Sequence, residues 1–192
     1  MKKIGLTGNI GSGKTFVCEV FKTLGVPVFI ADLEARKILN NTETIQEIIQ
    51  IFGASIALNE KEIDRKALAA IVFNSTNELN KLNQIIHPKL RMNFSSWAKE
   101  NESHSYVIQE AAILFENGFD AMMDKNITVS APKDIRLQRV ITRDHASEQE
   151  VLARVAHQWS DEKKEKAADF IIYNSGSEMI LPQVLNIHKN LI

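Results

Sequence analysis

The clearest chemical pattern in this 192-residue chain is a run of small residues that ends in a lysine and a threonine. Gly8-Asn9-Ile10-Gly11-Ser12-Gly13-Lys14-Thr15 fits the pattern GxxxxGK(S/T). Small residues let the backbone wrap a phosphate with its N–H groups turned inward, and a following helix adds its positive N-terminal end. The pattern therefore predicts a phosphate-binding loop for a nucleotide. The alternative is a glycine-rich turn that binds nothing.

Roles within this loop follow from its chemistry. Lys14 is predicted to reach the β- and γ-phosphates, and the Thr15 hydroxyl is predicted to bind Mg²⁺. Phe16 opens the helix that follows. The predicted nucleotide contacts are Asn9, Ile10, Gly11, Ser12, Gly13, Lys14, Thr15 and Phe16. The motif does not distinguish ATP from GTP, or a kinase from an ATPase or a switch.

Two carboxylates follow predicted strands. Asp32 comes after the second apolar run, at the sheet edge where ligands of open α/β sheets collect, so it could orient an acceptor hydroxyl and take its proton. The alternative is a helix N-cap, and the two roles are compatible. Glu110 ends the third predicted strand and is predicted to act on Mg²⁺ directly or through water.

Several cationic and amide side chains could bind phosphate or base. Arg36 shares a helical face with Asp32 and could bind acceptor phosphate or hold Asp32 in an ion pair. Arg136, Arg139 and Arg143 are spaced to lie on one helical face, which fits either a solvated basic surface or a lid over ATP. Asn174 follows the last predicted strand and lies either near the adenine or in a simple turn.

The elements that must position these residues are visible as apolar patterns. Residues 3–7, the helical spacing of Phe16, Val17, Val20 and Phe21, and residues 26–31 predict a βαβ unit with a parallel sheet. Strand-like runs return at residues 106–109, 127–130 and 170–173, and a closing helix is predicted over residues 179–192. The fold class is therefore α/β, a five-stranded parallel sheet flanked by helices.

Two stretches lie outside this sheet pattern. Residues 33–102 carry helical apolar stripes with no convincing strand, and residues 133–166 are polar and helical. We expect one domain whose core is about 1–32, 103–131 and 168–192, with a helical acceptor-binding insertion at about 33–102. A lid is expected at about 133–166.

Composition limits the functional class. The formal net charge of -1 gives no overall attraction for nucleic acid or an anionic membrane. No apolar run approaches the roughly 20 residues needed to span a bilayer, and no signal-peptide pattern opens the chain. Cys18 is the single cysteine, which fits a reducing compartment. These features favour a cytoplasmic protein and leave its oligomeric state open.

The absence of a guanine-reading motif narrows the nucleotide. An NKxD segment would be expected after a later strand of a GTPase switch, but Asn126 and Asn174 are followed by Ile127 and Ser175. A large ATPase motor usually needs a longer chain. The size and the helical insertion favour a small-molecule kinase.

The chain resembles the dephospho-CoA kinase family from residue 3 to about residue 185. The resemblance lies in the order and spacing of several short pieces, of which the phosphate-binding loop is the most specific. The others are Ala31-Asp32 with Ala35-Arg36, Arg65-Lys66-Ala67-Leu68, His87-Pro88, Ile113-Leu114-Phe115-Glu116, Gln138-Arg139, Arg143-Asp144, Gln158, Ala168-Asp169 and Asn174-Ser175-Gly176. The family usually has Asp at position 110, Pro at 112 and often Asp at 30, where this chain has Glu110, Ala112 and Ile30.

The resemblance implies an activity and an acceptor. ATP-Mg would phosphorylate the ribose 3'-hydroxyl of dephospho-CoA, with Asp32 at that hydroxyl and Lys14 and Arg139 as further catalytic residues. Arg139 and Arg143 would contact the nucleotide, while Arg36, Arg65 and His87 would contact the acceptor. Arg65 could instead be a surface charge, and His87 a structural residue at a helix start. Another kinase acting on a nucleoside or nucleotide is the alternative.

Overall fold

The computed structural model describes residues 1–59 and 61–192, which divide into two units. The first unit holds Met1–Ile30 and Ala98–Ile192, and the second holds Ala31–Trp97. The strands are β1 (Lys2–Thr7), β2 (Val28–Ile30), β3 (Ala57–Asn59), β4 (Glu62–Ile63), β5 (Tyr106–Glu110), β6 (Lys125–Ser130) and β7 (Phe170–Tyr173). The helices are α1 (Lys14–Thr23), α2 (Ala31–Ile38), α3 (Thr42–Phe52), α4 (Arg65–Phe73), α5 (Thr76–Glu100), α6 (Lys133–Asp144), α7 (Glu148–Val155), α8 (Asp161–Ala167) and α9 (Ile180–Leu191).

The first unit is built on a five-stranded sheet in the order β2-β5-β1-β6-β7, and every pairing is parallel. The predicted α/β class and parallel five-stranded sheet are therefore confirmed. Because β1 is the central strand, the loop that follows Thr7 leaves the sheet between the ends of β5 and β6. That is the edge where ligands of open parallel sheets bind.

Apolar side chains of β1 and of two helices form the core on one face of the sheet. Ile4 and Leu6 of β1 are fully buried against Val17 and Phe21 of α1 and Val184 of α9. The helical spacing of those α1 residues follows from the 3.6-residue period, so one face of the helix meets the sheet. This packing fixes α1, and hence the loop that leads into it.

Side-chain caps define where several helices begin. Ser147 and Glu150 form a capping box at the start of α7, because the Ser147 side chain accepts from the Glu150 N–H while Glu150 accepts from the Ser147 N–H. At the start of α8, the Ser160 side chain accepts from the Lys163 N–H. The polar stretch at 133–166 thus consists of three separate helices, α6, α7 and α8.

The second unit is mostly helical, but it contains one short antiparallel hairpin. β3 and β4 pair between Ala57 and Ile63 and between Asn59 and Glu62. The expectation that no strand interrupts the helical stripes was therefore wrong here. With only three and two residues in these strands, the alternation of apolar and polar side chains is too short to be recognised.

α5 runs without a break through Pro88, so the predicted helix start at His87 was also wrong. Proline lacks an N–H and normally disrupts a helix interior. Here the buried side chains of Ile85 and Leu90, on either side of the proline, hold both halves of the helix in the core. At 25 residues α5 is long, yet neither it nor any other described helix is both long and apolar enough to cross a bilayer.

Candidate active site

The loop between β1 and α1 has the backbone shape that its glycines predict. Gly11 and Gly13 adopt positive φ values of 81° and 95°, which side-chain-bearing residues rarely adopt. A Cβ at Gly11 would also collide with the carbonyl oxygen of Arg136, and one at Gly13 with the side-chain amide of Asn174. Glycine is therefore required at both positions for conformation and for space.

Side chains from distant segments bind three successive carbonyl groups of this loop. Arg136 donates through Nη1 to the Ile10 oxygen at 3.3 Å, and Arg139 donates through Nη1 to the Gly11 oxygen at 3.3 Å. Asn174 donates through Nδ2 to the Ser12 oxygen at 2.7 Å. The loop is thus held from outside, residue by residue.

The same contacts set which N–H groups of the loop remain for an anion. In a trans peptide the C=O and the N–H point in opposite directions, so binding the Ile10 and Ser12 oxygens turns the N–H groups of Gly11 and Gly13 away from those side chains. The Ile10 N–H donates to the side-chain oxygen of Gln158 at 2.9 Å, and the Ser12 N–H donates to the backbone oxygen of Asn9 at 3.0 Å. Among the described contacts, none engages the N–H of Gly11 or Gly13. No side chain caps α1 either.

Lys14 and Thr15 begin α1, as the motif predicts. Lys14 donates through Nζ to the Gly8 oxygen at 2.9 Å, so its ammonium group lies back over the loop. Thr15 and Phe16 are exposed at the start of the helix. A cation and a hydroxyl therefore both lie at the positive end of α1.

The structure brings Arg139 and Asn174 together at this loop. Arg139 donates through Nη2 to the backbone oxygen of Asn174 at 3.2 Å and to its side-chain oxygen at 3.3 Å. The Asn174 N–H in turn binds the Ser130 oxygen at 2.8 Å, which ties the end of β7 to the end of β6. Two residues far apart in sequence thus meet at the loop.

Arg143 is not among the described contacts of the loop. Its guanidinium group is exposed and binds the Asp144 carboxylate at 2.7 and 3.1 Å, and Asp144 also accepts from Arg154 at 3.0 Å. These hydrogen bonds raise the pKa of Arg143 and lower that of Asp144. The predicted arginine row therefore splits, because Arg143 lies in a surface ion-pair cluster.

Arg136 also departs from a solvated basic face, since only 2% of the residue is exposed. Its Nε donates to the Ala131 oxygen at 3.0 Å, and its Nη2 binds Asp161 at 2.5 Å. Asp161 was not identified from the sequence. The sequence carries only a weak signal, and it concerns the partner of Asp161: Arg136 stands four residues before the apolar Val140, so the two share the buried face of α6.

The segment before α8 forms a layer of polar contacts behind the phosphate-binding loop. Asn9 donates through Nδ2 to the Trp159 oxygen at 3.1 Å and to Asp161 at 2.8 Å. The backbone N–H of Trp159 donates to Glu116 at 2.7 Å, and the Trp159 ring stacks on Phe115 with ring centroids 5.8 Å apart. This layer joins the phosphate-binding loop to the segment that follows β5.

A buried ion pair lies in this layer. Lys164, only 1% exposed, is 3.0 Å from Glu116 and donates to the Ala112 oxygen at 2.7 Å. That oxygen also accepts from Thr7 at 3.3 Å and from Gln158 at 3.4 Å. Burial lowers the pKa of Lys164, and the Glu116 charge opposes that shift.

Glu110 is buried at the carboxyl end of β5, opposite Leu6 of β1 in the strand register. Its carboxylate therefore belongs to the strand next to the one that leads into the loop. Burial, followed by the charge of Glu110, raises the pKa of the Cys18 thiol to about 12. Cys18 is consequently a neutral core residue, as its position on the apolar side of α1 predicts.

The predicted acceptor residues belong to the second unit. Asp32 lies in the first turn of α2 and Arg36 one turn later, and both are exposed. Asp32 and Arg36 form no ion pair within the described structure. Arg65 begins α4 and donates to the side-chain oxygen of Asn40. His87, within α5, is half-buried, and burial followed by the Arg91 charge lowers its pKa.

Comparison with known proteins identifies the family. A family model described as Dephospho-CoA kinase matches residues 2–179. A dephospho-CoA kinase of Bacteroides fragilis (strain YCH46) is 36% identical over 186 residues, which cover 96% of this chain and 90% of that protein. One of Chlorobaculum tepidum is 38% identical over 197 residues, which cover 98% and 94%.

Solved structures agree with these matches. Dephospho-CoA kinase from Campylobacter jejuni superposes with a TM-score of 0.71 at 30% identity, covering 98% of this chain and 96% of that one. A Thermus thermophilus protein reaches a TM-score of 0.87 at 32% identity with the same coverage. Shikimate kinase from Acinetobacter baumannii, at 17% identity and a TM-score of 0.52, shares the fold. The chain belongs to the dephospho-CoA kinase family.

Proposed function

We propose that this protein transfers the γ-phosphate of ATP to the ribose 3'-hydroxyl of dephospho-CoA, giving CoA and ADP, the last step of coenzyme A synthesis. The observation that carries the proposal is the family match over residues 2–179, which includes the whole phosphate-binding loop. The loop geometry supports the nucleotide half of the reaction. The family supports the choice of acceptor.

The nucleotide phosphates are proposed to bind over the N-terminus of α1. The N–H groups of Gly11 and Gly13 would donate hydrogen bonds to phosphate oxygens, because Arg136 and Asn174 bind the carbonyls of the same peptide units on the opposite side. Lys14 would exchange its bond to the Gly8 oxygen for the β- and γ-phosphates. ATP binding would thus move the Lys14 side chain.

Mg²⁺ is proposed as the metal that accompanies ATP. The exposed hydroxyl of Thr15 and the buried carboxylate of Glu110 are oxygen donors, which suit this hard cation. Among the described residues, no group of three or more His, Cys, Asp and Glu side chains is arranged to hold a metal. That fits an ion that takes most of its ligands from phosphates and water. When bound, the ion would neutralise developing phosphate charge.

Transfer to a hydroxyl requires a group that orients the acceptor and takes its proton. We propose Asp32 for this role, since it is an exposed carboxylate in the first turn of α2, directly after β2. Arg36, one helical turn away and also exposed, is proposed to bind acceptor phosphate. Arg65 and His87 are proposed as further acceptor contacts within the helical segment 33–102.

The segment 133–166 is proposed to act as the lid over ATP. Arg139 already touches the loop and would stabilise charge on the transferring phosphoryl group. Arg143 would have to leave Asp144 to contact the nucleotide. Excluding water over the phosphates would limit wasteful hydrolysis of ATP.

A cytoplasmic location is also proposed. The chain has one cysteine, and its thiol is buried. A single protected thiol suits a reducing compartment, where disulfides do not persist.

One assay tests the proposed reaction. ADP release would be measured with ATP-Mg and, in separate reactions, dephospho-CoA, AMP, uridine or no acceptor. Release is expected with dephospho-CoA, and ³¹P NMR should place the new phosphate on the 3' oxygen. A Lys14→Met variant serves as the inactive control. Turnover without an acceptor, or a preference for AMP or uridine, would contradict the proposal.

A further inference from the structure

Arg136, which is buried, and Asp161, which is partly exposed, form an ion pair beside the phosphate-binding loop. Their side chains are 3% and 23% exposed, and Nη2 of Arg136 lies 2.5 Å from Oδ2 of Asp161. They come from different helices of the same unit, α6 and α8. Neither residue has a role in the proposed phosphoryl transfer, so the position of this ion pair beside the loop needs its own explanation.

Between them, the pair holds two adjacent residues of the phosphate-binding loop. Arg136 donates to the backbone oxygen of Ile10 at 3.3 Å, and Asp161 accepts from the side chain of Asn9 at 2.8 Å. The Nε of Arg136 donates to the Ala131 oxygen at 3.0 Å. The guanidinium group therefore links the end of β6, the loop and α8 through one planar fork.

The geometry has a direct consequence for phosphate binding. The bond from Arg136 fixes the orientation of the Ile10–Gly11 peptide, and the N–H of Gly11 points to the opposite side. Asp161 keeps Arg136 in place, and it restrains the preceding residue, Asn9. A guanidinium fork can hold a carbonyl and a carboxylate at once, whereas an ammonium group is a single point charge.

We infer that Arg136 and Asp161 are positioning residues that preset the phosphate-binding loop for the nucleotide. They act through the peptide between Ile10 and Gly11 and do not touch the substrate. The charge of Arg136 is balanced by Asp161, so the pair orients the loop with little net field at the phosphates. The inference deepens the proposed function but requires only that the protein binds ATP.

The competing explanation is that the pair merely joins α6 to α8. Loss of such a joint would lower stability without changing how nucleotide phosphates are bound. Loss of a positioning pair would weaken binding of ATP and ADP, while acceptor KM would stay unchanged. The two explanations therefore differ in a measurable quantity other than stability.

The test compares Arg136→Met, Arg136→Lys and Asp161→Asn with the wild-type protein. ATP-Mg and ADP-Mg affinities would be measured by calorimetry without any acceptor, and KM for ATP and for dephospho-CoA by ADP release. Each variant is expected to lose about tenfold or more in affinity for both nucleotides, since a charge-assisted bond is lost. Arg136→Lys should not rescue binding, because lysine lacks the fork.

Lys125→Met is the control, since it also removes a cation from an ion pair, but an exposed one at the start of β6, outside the loop and the proposed lid. Its nucleotide affinities should equal those of the wild type. If a variant is poorly folded, the rise in melting temperature on adding ATP-Mg still reports its affinity. Three results would overturn the inference: unchanged ATP affinity in Arg136→Met, full rescue of ATP affinity in Arg136→Lys, or a KM for dephospho-CoA that rises as much as the KM for ATP. A wild-type protein that binds ATP but ignores dephospho-CoA would instead refute the proposed acceptor alone.

Discussion

Asn174 and Gly13 are so close that the side-chain amide of Asn174 occupies the space a Cβ would need at position 13. The same amide binds the Ser12 oxygen at 2.7 Å, in the peptide that joins Ser12 to Gly13. Asn174 therefore packs directly against the loop at Ser12 and Gly13. The glycine is required here for the approach of a distant side chain as well as for its positive φ of 95°.

Gly13→Ala is accordingly expected to abolish ATP binding. The new methyl group must displace Asn174, and the residue must also adopt a strained φ, at a cost of roughly 1–3 kcal/mol. Gly25→Ala is the matched control, since Gly25 has a φ of 80° but nothing near its Cβ position. That variant should lose stability while each folded molecule keeps its ATP affinity. Equal ATP affinities in the two variants would show that the Asn174 contact is unimportant.

Arg139 and Arg143 are predicted to differ strongly when each is replaced by methionine. Arg139 binds the loop and Asn174, so its loss should lower kcat/KM for ATP by roughly 10²–10³-fold. Arg143 is paired with Asp144 at the surface, and its loss should cost less than about tenfold. Steady-state kinetics of the two variants decide the matter. A larger effect at Arg143 would mean that it leaves Asp144 to bind the nucleotide.

Asp32→Asn should remove phosphoryl transfer and leave ATP affinity nearly unchanged. Loss of a general base typically lowers the rate by about 10²–10⁴-fold. Glu34→Gln is the control, because Glu34 lies in the same first turn of α2 and only forms a surface ion pair with Lys37 at 2.5 Å. Calorimetry with ATP-Mg and the ADP-release assay measure both quantities. Substantial turnover by Asp32→Asn would exclude Asp32 as the base.

The loop and the sheet could be predicted because their signals are local. The eight-residue motif carries its glycines and lysine at a set spacing, and parallel strands show as continuous apolar runs. The five-stranded parallel sheet was correctly predicted in this way. Residues whose roles depend on neighbouring sequence were therefore the easiest to recognise.

The arginine row could not be resolved from sequence, because spacing only says that three side chains share a helical face. What separates them lies far along the chain: Asp161 is 25 residues from Arg136, and Gly11 is 128 residues from Arg139. Pro88 was misread for a related reason. A local helix breaker was overridden by tertiary packing of the side chains around it.

His87 should make the protein less stable in mild acid. Burial and the Arg91 charge lower its pKa from the ordinary 6.5, so below that pH the unfolded chain binds a proton that the folded chain resists. Stability is thus full above pH 6.5 and falls as the pH drops, by at most about 1.4 kcal/mol per pH unit. Urea unfolding at pH 7.5 and 5.5 measures this, and His87→Gln should reduce the loss. The same loss in both proteins would assign it to other groups.

The buried pair of Lys164 and Glu116 should be more costly to break than to replace. Lys164→Met leaves the Glu116 carboxylate, which also accepts from the Trp159 N–H, without its cation in a nearly closed space. Removing one partner of such a pair typically costs about 3–5 kcal/mol. Adding Glu116→Gln to Lys164→Met should recover much of that loss, since glutamine keeps an acceptor for Trp159 and carries no charge.

Lys166→Met provides the surface control for this pair, since Lys166 lies on the same helix and is exposed. Its unfolding free energy should stay within about 0.5 kcal/mol of the wild type. Denaturant unfolding of the four proteins, wild type, single, double and control, completes the comparison. If Lys164→Met and the double variant are equally destabilised, the cost lies in lost packing around Ala112 and not in an uncompensated charge. That outcome would contradict the electrostatic role assigned to the pair.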